Sequence, residues 1–209
     1  FNSLQFLFFL PLVFFLYWGI KERKAQNLLI VVASYVFYGW WDWRFLLLIA
    51  LTSVCSYLSG IYIDRRPQHG RQLMVLNLLF NLGILGVFKY YNFFAENFSL
   101  LLHTVGLKTD LPTLNIILPV GISFYTFQAL SYTIDVYRRQ LRATTDPIEF
   151  FAFISFFPQL VAGPIERATN LLPQFQRPRT FDYDKATDGL KQMLWGFFKK
   201  IVVADSCAV

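Results

Sequence analysis

Five stretches of the chain, residues 1–20, 25–41, 45–63, 72–88 and 111–134, contain no Asp, Glu, Lys or Arg. A helix that crosses the hydrocarbon core of a bilayer needs about 20 apolar residues, and at least about 17. Each stretch therefore predicts one membrane-spanning helix. The first is not a cleaved leader by its pattern, because it lacks a basic start and a small-residue cleavage site before Lys21. A sixth run, 150–165, is shorter and contains Pro158, Gly163 and Pro164. Broken helix is tolerated at membrane depth only where protein or a watery cavity satisfies the freed backbone groups. With Arg142 before this run and Arg167, Arg177, Arg179 and Lys185 after it, the pattern predicts a re-entrant segment. The fold class expected is all-α, a multi-pass transmembrane bundle with about five spans plus the re-entrant segment.

The connections alternate in charge. Lys21, Arg23 and Lys24 fill the first, Arg44 lies beside Asp42 in the second, and Arg65, Arg66 and Arg71 fill the third. In the fourth, Lys89 and Lys108 are balanced by Glu96 and Asp110; the fifth is basic again with Arg138, Arg139 and Arg142. Short cytoplasmic loops hold the excess of Lys and Arg, so the first, third and fifth connections are expected in the cytoplasm and the N-terminus outside. Tyr38, Trp40, Trp41 and Trp43 gather where the second span would meet the outer interface, as amphipathic rings prefer. Beyond Glu166 the chain turns polar, with Pro173 and Pro178 as breakers. The pattern Phe181, Asp182, Tyr183, Asp184 then leads toward a helix that would lie in the interface.

Composition strengthens this reading: 56% of residues are hydrophobic and only 15% charged, against roughly 25% charged in soluble domains. The net charge of +6 sits in clusters between apolar runs and not on one polar face, which argues against nucleic-acid binding. Two cysteines, Cys55 and Cys207, offer no disulfide framework or zinc spacing.

Candidate chemistry lies inside the apolar runs. Tyr125, Gln128, Tyr132 and Asp135 recur at helical spacing and share one face of the fifth predicted span. Polar groups in a bilayer face the bundle interior or a water-filled cavity, so the stripe is either the wall of a substrate path or a set of bonds to neighbouring helices. Asn77 and Asn81 also share a face, with bridging between helices the favoured reading. Gln159, Glu166 and Arg167 lie in or beside the re-entrant turn, where they would meet an entering charged substrate or simply solvate a loop. His69 and His103 fall in predicted loops without a nucleophile or carboxylate at suggestive spacing, and no GxSxG, HExxH or phosphate-loop motif occurs. Motifs alone name no catalytic residue and no metal ligand.

Several segments resemble the membrane-bound O-acyltransferase family, in the branch of the alginate O-acetylation proteins. They are FNSLQFL at 1–7, ASYVFYGWWDWRFL at 33–46, FKYYNFF at 88–94, LPVGISFYTFQALSYTIDVYRRQ at 118–140 and FISFFPQLVAGPIERA at 153–168. The resemblance implies a multi-helix enzyme of the plasma (inner) membrane in which acetyl-coenzyme A or an acyl-carrier thioester serves as cytoplasmic donor, with no resident cofactor. An exported polysaccharide or cell-envelope glycan would be the acceptor, and membrane lipid and an extracytoplasmic acetyl-transfer protein its partners. Gln128, Tyr132, Asp135, Gln159, Pro164, Glu166 and Arg167 fall inside matching motifs and would shape the acyl tunnel or its cytoplasmic mouth. The family's catalytic histidine is expected beyond Val209, so residues 1–209 read as the N-terminal portion of a single membrane domain, inactive alone. A transporter or export-complex component, or a membrane scaffold, fits the composition equally well. An inverted repeat would mark the transporter; a membrane-embedded histidine farther on would mark the enzyme.

Overall fold

The computed structural model describes residues 4–40, 42–104, 119–160 and 163–207. Trp41, Lys108, Asp110 and the first part of the fifth predicted span, 111–118, lie outside the described residues. Every regular element among those described is helical. The chain divides into two compact units, Phe1–Gln26 with Arg177–Val209, and Asn27–Gln176.

In the first unit, α1 (Leu4–Gly19) is apolar around its circumference. Its Trp18 meets Phe181 edge-on at 5.2 Å, and Tyr17 accepts a 2.5 Å hydrogen bond from the Arg179 guanidinium. The helix foreseen after Phe181 is α9 (Tyr183–Phe198). It starts where it does because the Asp182 carboxylate accepts from the backbone N–H groups of Asp184 and Lys185, both at 3.1 Å, the usual role of an N-cap side chain. Those bonds, the Lys185 backbone and ammonium first, hold the Asp182 carboxyl below its ordinary range. Leu190, Leu194, Trp195 and Phe198 are exposed along α9.

The second unit holds α2 from Asn27 onward (the helix spans Arg23–Gly39), α3 (Leu46–Arg65), α4 (Gly70–Thr104), α5 (Ile122–Tyr137), α6 (Pro147–Ile154), α7 (Phe157–Leu160) and α8 (Ala168–Gln176). Helices α3, α4 and α5 pack against one another, and α6 packs on α8 and α3. Before α3, Asp42 caps the short turn Trp43–Phe45, and its carboxylate takes a 2.8 Å ion pair from Arg44 that holds it below the usual carboxylate range.

This unit is apolar outside and polar within. On α3, Leu47, Leu51, Val54 and Leu58 are exposed, whereas Thr52, Ser53, Ser56 and Gly60 are buried. On α4, Leu76, Leu79, Phe93 and Phe94 are exposed, whereas Asn77 and Asn81 are buried. In water that distribution would leave a large apolar surface uncovered. In lipid it is expected, because small and polar residues hold helices together there while aliphatic ones face the tails. Two helical stretches, Trp43–Arg65 and Pro67–Leu102, are long and apolar enough to cross a membrane; at about 1.5 Å per residue either exceeds a core of about 30 Å. Helices Leu4–Gly19 and Pro147–Leu160 are apolar but shorter.

One boundary differs from the charge pattern. Helix α4 continues well past Phe88 and takes in Lys89, Glu96 and His103, which the pattern assigns to a connection. Neither Pro nor Gly occurs between Val87 and Thr104, so nothing stops the helix, and a charged residue by itself does not end one.

Candidate functional site

Helix α5 turns the predicted stripe inward. Tyr125 and Tyr132 are 0% exposed, Gln128 2% and Asp135 6%. Its start is fixed by Gly121, in the left-handed region at φ 77°, and by the neighbouring Val120, whose carbonyl accepts from the Tyr38 hydroxyl of α2. Asn77 and Asn81 act as the bridge foreseen for them. The Asn77 amide donates to Ser59 Oγ at 3.2 Å and Ser56 Oγ at 3.3 Å on α3, and its Oδ1 accepts from Thr133 on α5 at 3.0 Å. Asn81 Nδ2 donates back to Asn77 Oδ1 at 3.1 Å.

The decisive geometry is at the break between α6 and α7. In an unbroken helix the Phe157 N–H would bond the Phe153 carbonyl, and residue 158 would bond Ile154. Pro158 has no N–H, and the Phe157 N–H instead donates to Ser34 Oγ of α2 at 3.2 Å. The released Phe153 carbonyl is taken by Gln128 Nε2 at 3.2 Å. The same Nε2 lies 3.2 Å from Gln159 Oε1, and Gln159 Nε2 donates to the Pro164 carbonyl at 2.8 Å. Three predicted positions, Gln128, Gln159 and Pro164, thus form one relay from the middle of α5 across the break to the turn before α8. Broken helix inside an apolar protein is sustained by just this kind of side-chain substitution for backbone bonds.

Other buried oxygens of α5, Tyr125 Oη, Thr126 Oγ1 and Asp135 Oδ2, find no hydrogen-bond partner among the described residues. Unpaired buried polar groups are rare and point to water, a ligand or further protein in the finished site. Glu166 is half-buried and Arg167 exposed, and neither side chain is drawn into the relay. The Arg167 carbonyl has a local task, accepting from Asn170 at 3.0 Å and Leu171 at 3.1 Å to start α8.

No protein-family model matches the chain, and no solved structure matches it significantly. Among curated proteins, it is 42% identical over 212 residues to the probable alginate O-acetylase AlgI of Pseudomonas aeruginosa and 41% identical over 212 residues to that of Azotobacter vinelandii. The chain is homologous to the AlgI-type alginate O-acetylases. The resemblance carried by residues 1–168 therefore stands, and it extends over the whole chain: each alignment covers 100% of this sequence. The peptidoglycan O-acetyltransferase of Helicobacter pylori aligns too, at 34% identity over 242 residues. The chain spans 40%, 42% and 45% of the length of these three relatives.

Seen on this homologue, the family-like segments converge in space. Ser34 and Tyr38 come from ASYVFYGWW, Val120, Gly121 and Gln128 from LPVGISFYTFQ, and Phe153, Gln159 and Pro164 from FISFFPQLVAGPIERA. Sequence reasoning did not single out Ser34, and it read Tyr38 only as part of an interfacial aromatic cluster, whereas its ring is buried and its hydroxyl donates to the Val120 carbonyl. A serine within the apolar run 25–41 was the available signal, but its partner stands 123 positions away. Nor did it find the buried Glu149, whose Oε2 accepts from Thr144 Oγ1 at 3.1 Å.

Proposed function

We propose that the complete protein is a membrane-bound O-acyltransferase carrying an acyl group, most simply acetyl, from a cytoplasmic thioester to hydroxyls of an exported polysaccharide or cell-envelope glycan. This chain would form the N-terminal portion of its membrane domain. Homology along the entire chain to alginate and peptidoglycan O-acetylating proteins carries the proposal. In the reaction the acceptor oxygen forms an ester bond with the acyl carbon, the carbon–sulfur bond breaks, and the hydroxyl proton passes through a general base to the departing thiolate. His69 lies in the turn Pro67–His69 and His103 in the last turn of α4, with no relay residue beside either in sequence. We assign the base to the part of the protein that follows Val209, and an extracytoplasmic partner to the final handover to glycan.

The residues described here would shape the path. Gln128 and Gln159 hold the α6–α7 break, and the open oxygens of Tyr125 and Asp135 would face the acyl route. Replacing Gln159 with leucine in the complete protein should lower acyl transfer roughly tenfold or more, since an ångström of misplacement costs up to about a hundredfold. The assay uses liposomes with labelled acetyl donor, acceptor glycan and the partner protein, beside a Tyr183→Ala control. A wild-type protein that acylates no hydroxyl but moves a solute across the vesicle would replace this reading with the transporter.

Five spans with a re-entrant 150–165 segment and an outside N-terminus complete the proposal. It rests on the alternating basic connections and on the proline-containing break. Single cysteines replace Glu22, Trp43 and Gln68 in a protein lacking Cys55 and Cys207. An impermeant thiol reagent applied to intact cells should label position 43 and spare 22 and 68; the opposite pattern would invert the topology.

A further inference from the structure

At the basic end of the second unit, α3 and the turn Pro67–His69 face the end of α5 across a cavity of about 710 Å³. Asp64, Pro67, Gly70, Tyr137, Arg139 and Arg142 line it. Its size falls within the range of about 300–1,000 Å³ usual for small-molecule sites. The lining holds two guanidinium groups against one carboxylate, and neither Arg139 nor Arg142 has a side-chain hydrogen bond or ion pair among the described residues. Two guanidinium groups without a protein partner among the described residues, on one cavity, give it a positive lining suited to an anionic ligand.

Backbone geometry gives a second, separate reason. Arg139 has φ 60°, and among the described residues it is the non-glycine with positive φ. The cause is the way α5 ends. The Gln140 N–H bonds the Asp135 carbonyl at 2.9 Å and the Arg139 N–H bonds that of Val136 at 3.0 Å, which is the Schellman pattern. It places Arg139 at the left-handed position where glycine is ordinarily found. A long side chain there is unfavourable for the fold, and strain of this kind gathers at functional sites.

We propose that this cleft binds a phosphate ester through Arg139 and Arg142, whose planar forks match phosphate oxygens in pairs. Basic pockets between spans at a cytoplasmic boundary hold phosphate headgroups, and α3 is of spanning length. The phosphate can come from an anionic phospholipid or from a soluble phosphate ester such as coenzyme A. Binding itself does not require the acyl-transfer reading; only the cytoplasmic position of the cleft rests on the topology proposed above.

The test measures affinity directly on the complete protein in detergent, by the shift of its unfolding midpoint with phosphatidylglycerol against phosphatidylcholine, and with coenzyme A against adenosine. One phosphate-bearing ligand should raise the midpoint, and Arg139→Gly with Arg142→Gln should weaken it at least tenfold. Arg139→Gly alone should raise the ligand-free midpoint while weakening binding, a combination that rules out simple unfolding as the cause. Arg66→Gln, outside the lining, should leave affinity unchanged. A response to phosphatidylglycerol identifies a lipid site, and one to coenzyme A a soluble-ester site. Affinities unchanged in the double variant, equal loss with Arg66→Gln, or no response to either ligand would overturn the proposal.

Discussion

Replacing Gly121 with alanine should destabilise the complete protein by about 3 kcal/mol, the sum of about 1–2 for a left-handed side-chain residue and about 1–3 for overpacking. A Cβ at Gly121 would stand 2.3 Å from the carbonyl oxygen of Leu160, a backbone atom that cannot rotate aside, and the residue's φ is 77°. The contact joins the start of α5 to the end of α7. The added methyl would push apart the two segments whose separation the Gln128–Gln159 bond spans. Stability falls first, and acyl transfer should fall with it. Denaturant titration of the purified protein in mixed micelles provides the number. Gly163 supplies the internal comparison: its φ is 122°, but a Cβ there meets nothing within 4 Å among the described residues. Gly163→Ala should therefore lose only the conformational part. Equal losses at both glycines would show that the Leu160 contact yields freely and would remove the steric argument.

How much of this could be read beforehand depended on whether the partner was near in sequence. The stripe on α5, the Asn77 and Asn81 pair and the helix after Asp182 were legible because each is a spacing within one element. The proline-containing run was legible as a break. Its resolution was not, because Phe153 and Phe157 surrender a backbone bond and recover it from Gln128 and Ser34 on other helices. Backbone groups carry no sequence label, so only their three-dimensional partners reveal that accounting. The extent of α4 was missed for a different reason. Lys89 and Glu96 mark where the uncharged run ends, not where the helix ends. The left-handed Arg139 was hidden most completely, since the expected sequence signal at that position is glycine. Of Glu166 and Arg167, selected for their charge beside the proline-containing run, Arg167 contributes to the fold through the carbonyl that starts α8 and not through a side-chain bond to the relay.

Gly60 should prove nearly as intolerant as Gly121, for reasons that belong wholly to side-chain packing. It occupies the small-residue face of α3 with Thr52 and Ser56, spacing that lets helix backbones approach closely. A Cβ there would lie 2.5 Å from Cε1 and 2.7 Å from Oη of Tyr132. An exposed tyrosine would swing away. Tyr132 is fully buried, and its ring stands edge-on to Phe150 at 4.7 Å, with Phe150 itself fully buried. Gly60→Ala should therefore cost about 1–3 kcal/mol, and the added methyl should displace the middle of the polar face that Gln128 and Asp135 share with Tyr132. A double-mutant cycle tests the cause. Tyr132→Leu should itself destabilise by emptying space beside Phe150, yet Gly60→Ala added to it should do much less harm than in the wild type. The coupling expected between residues in contact is about 0.5–3 kcal/mol, with the sign of mutual relief. Strict additivity would mean that the ring is not what excludes a side chain at position 60, and the close approach of α3 to α5 would need another explanation.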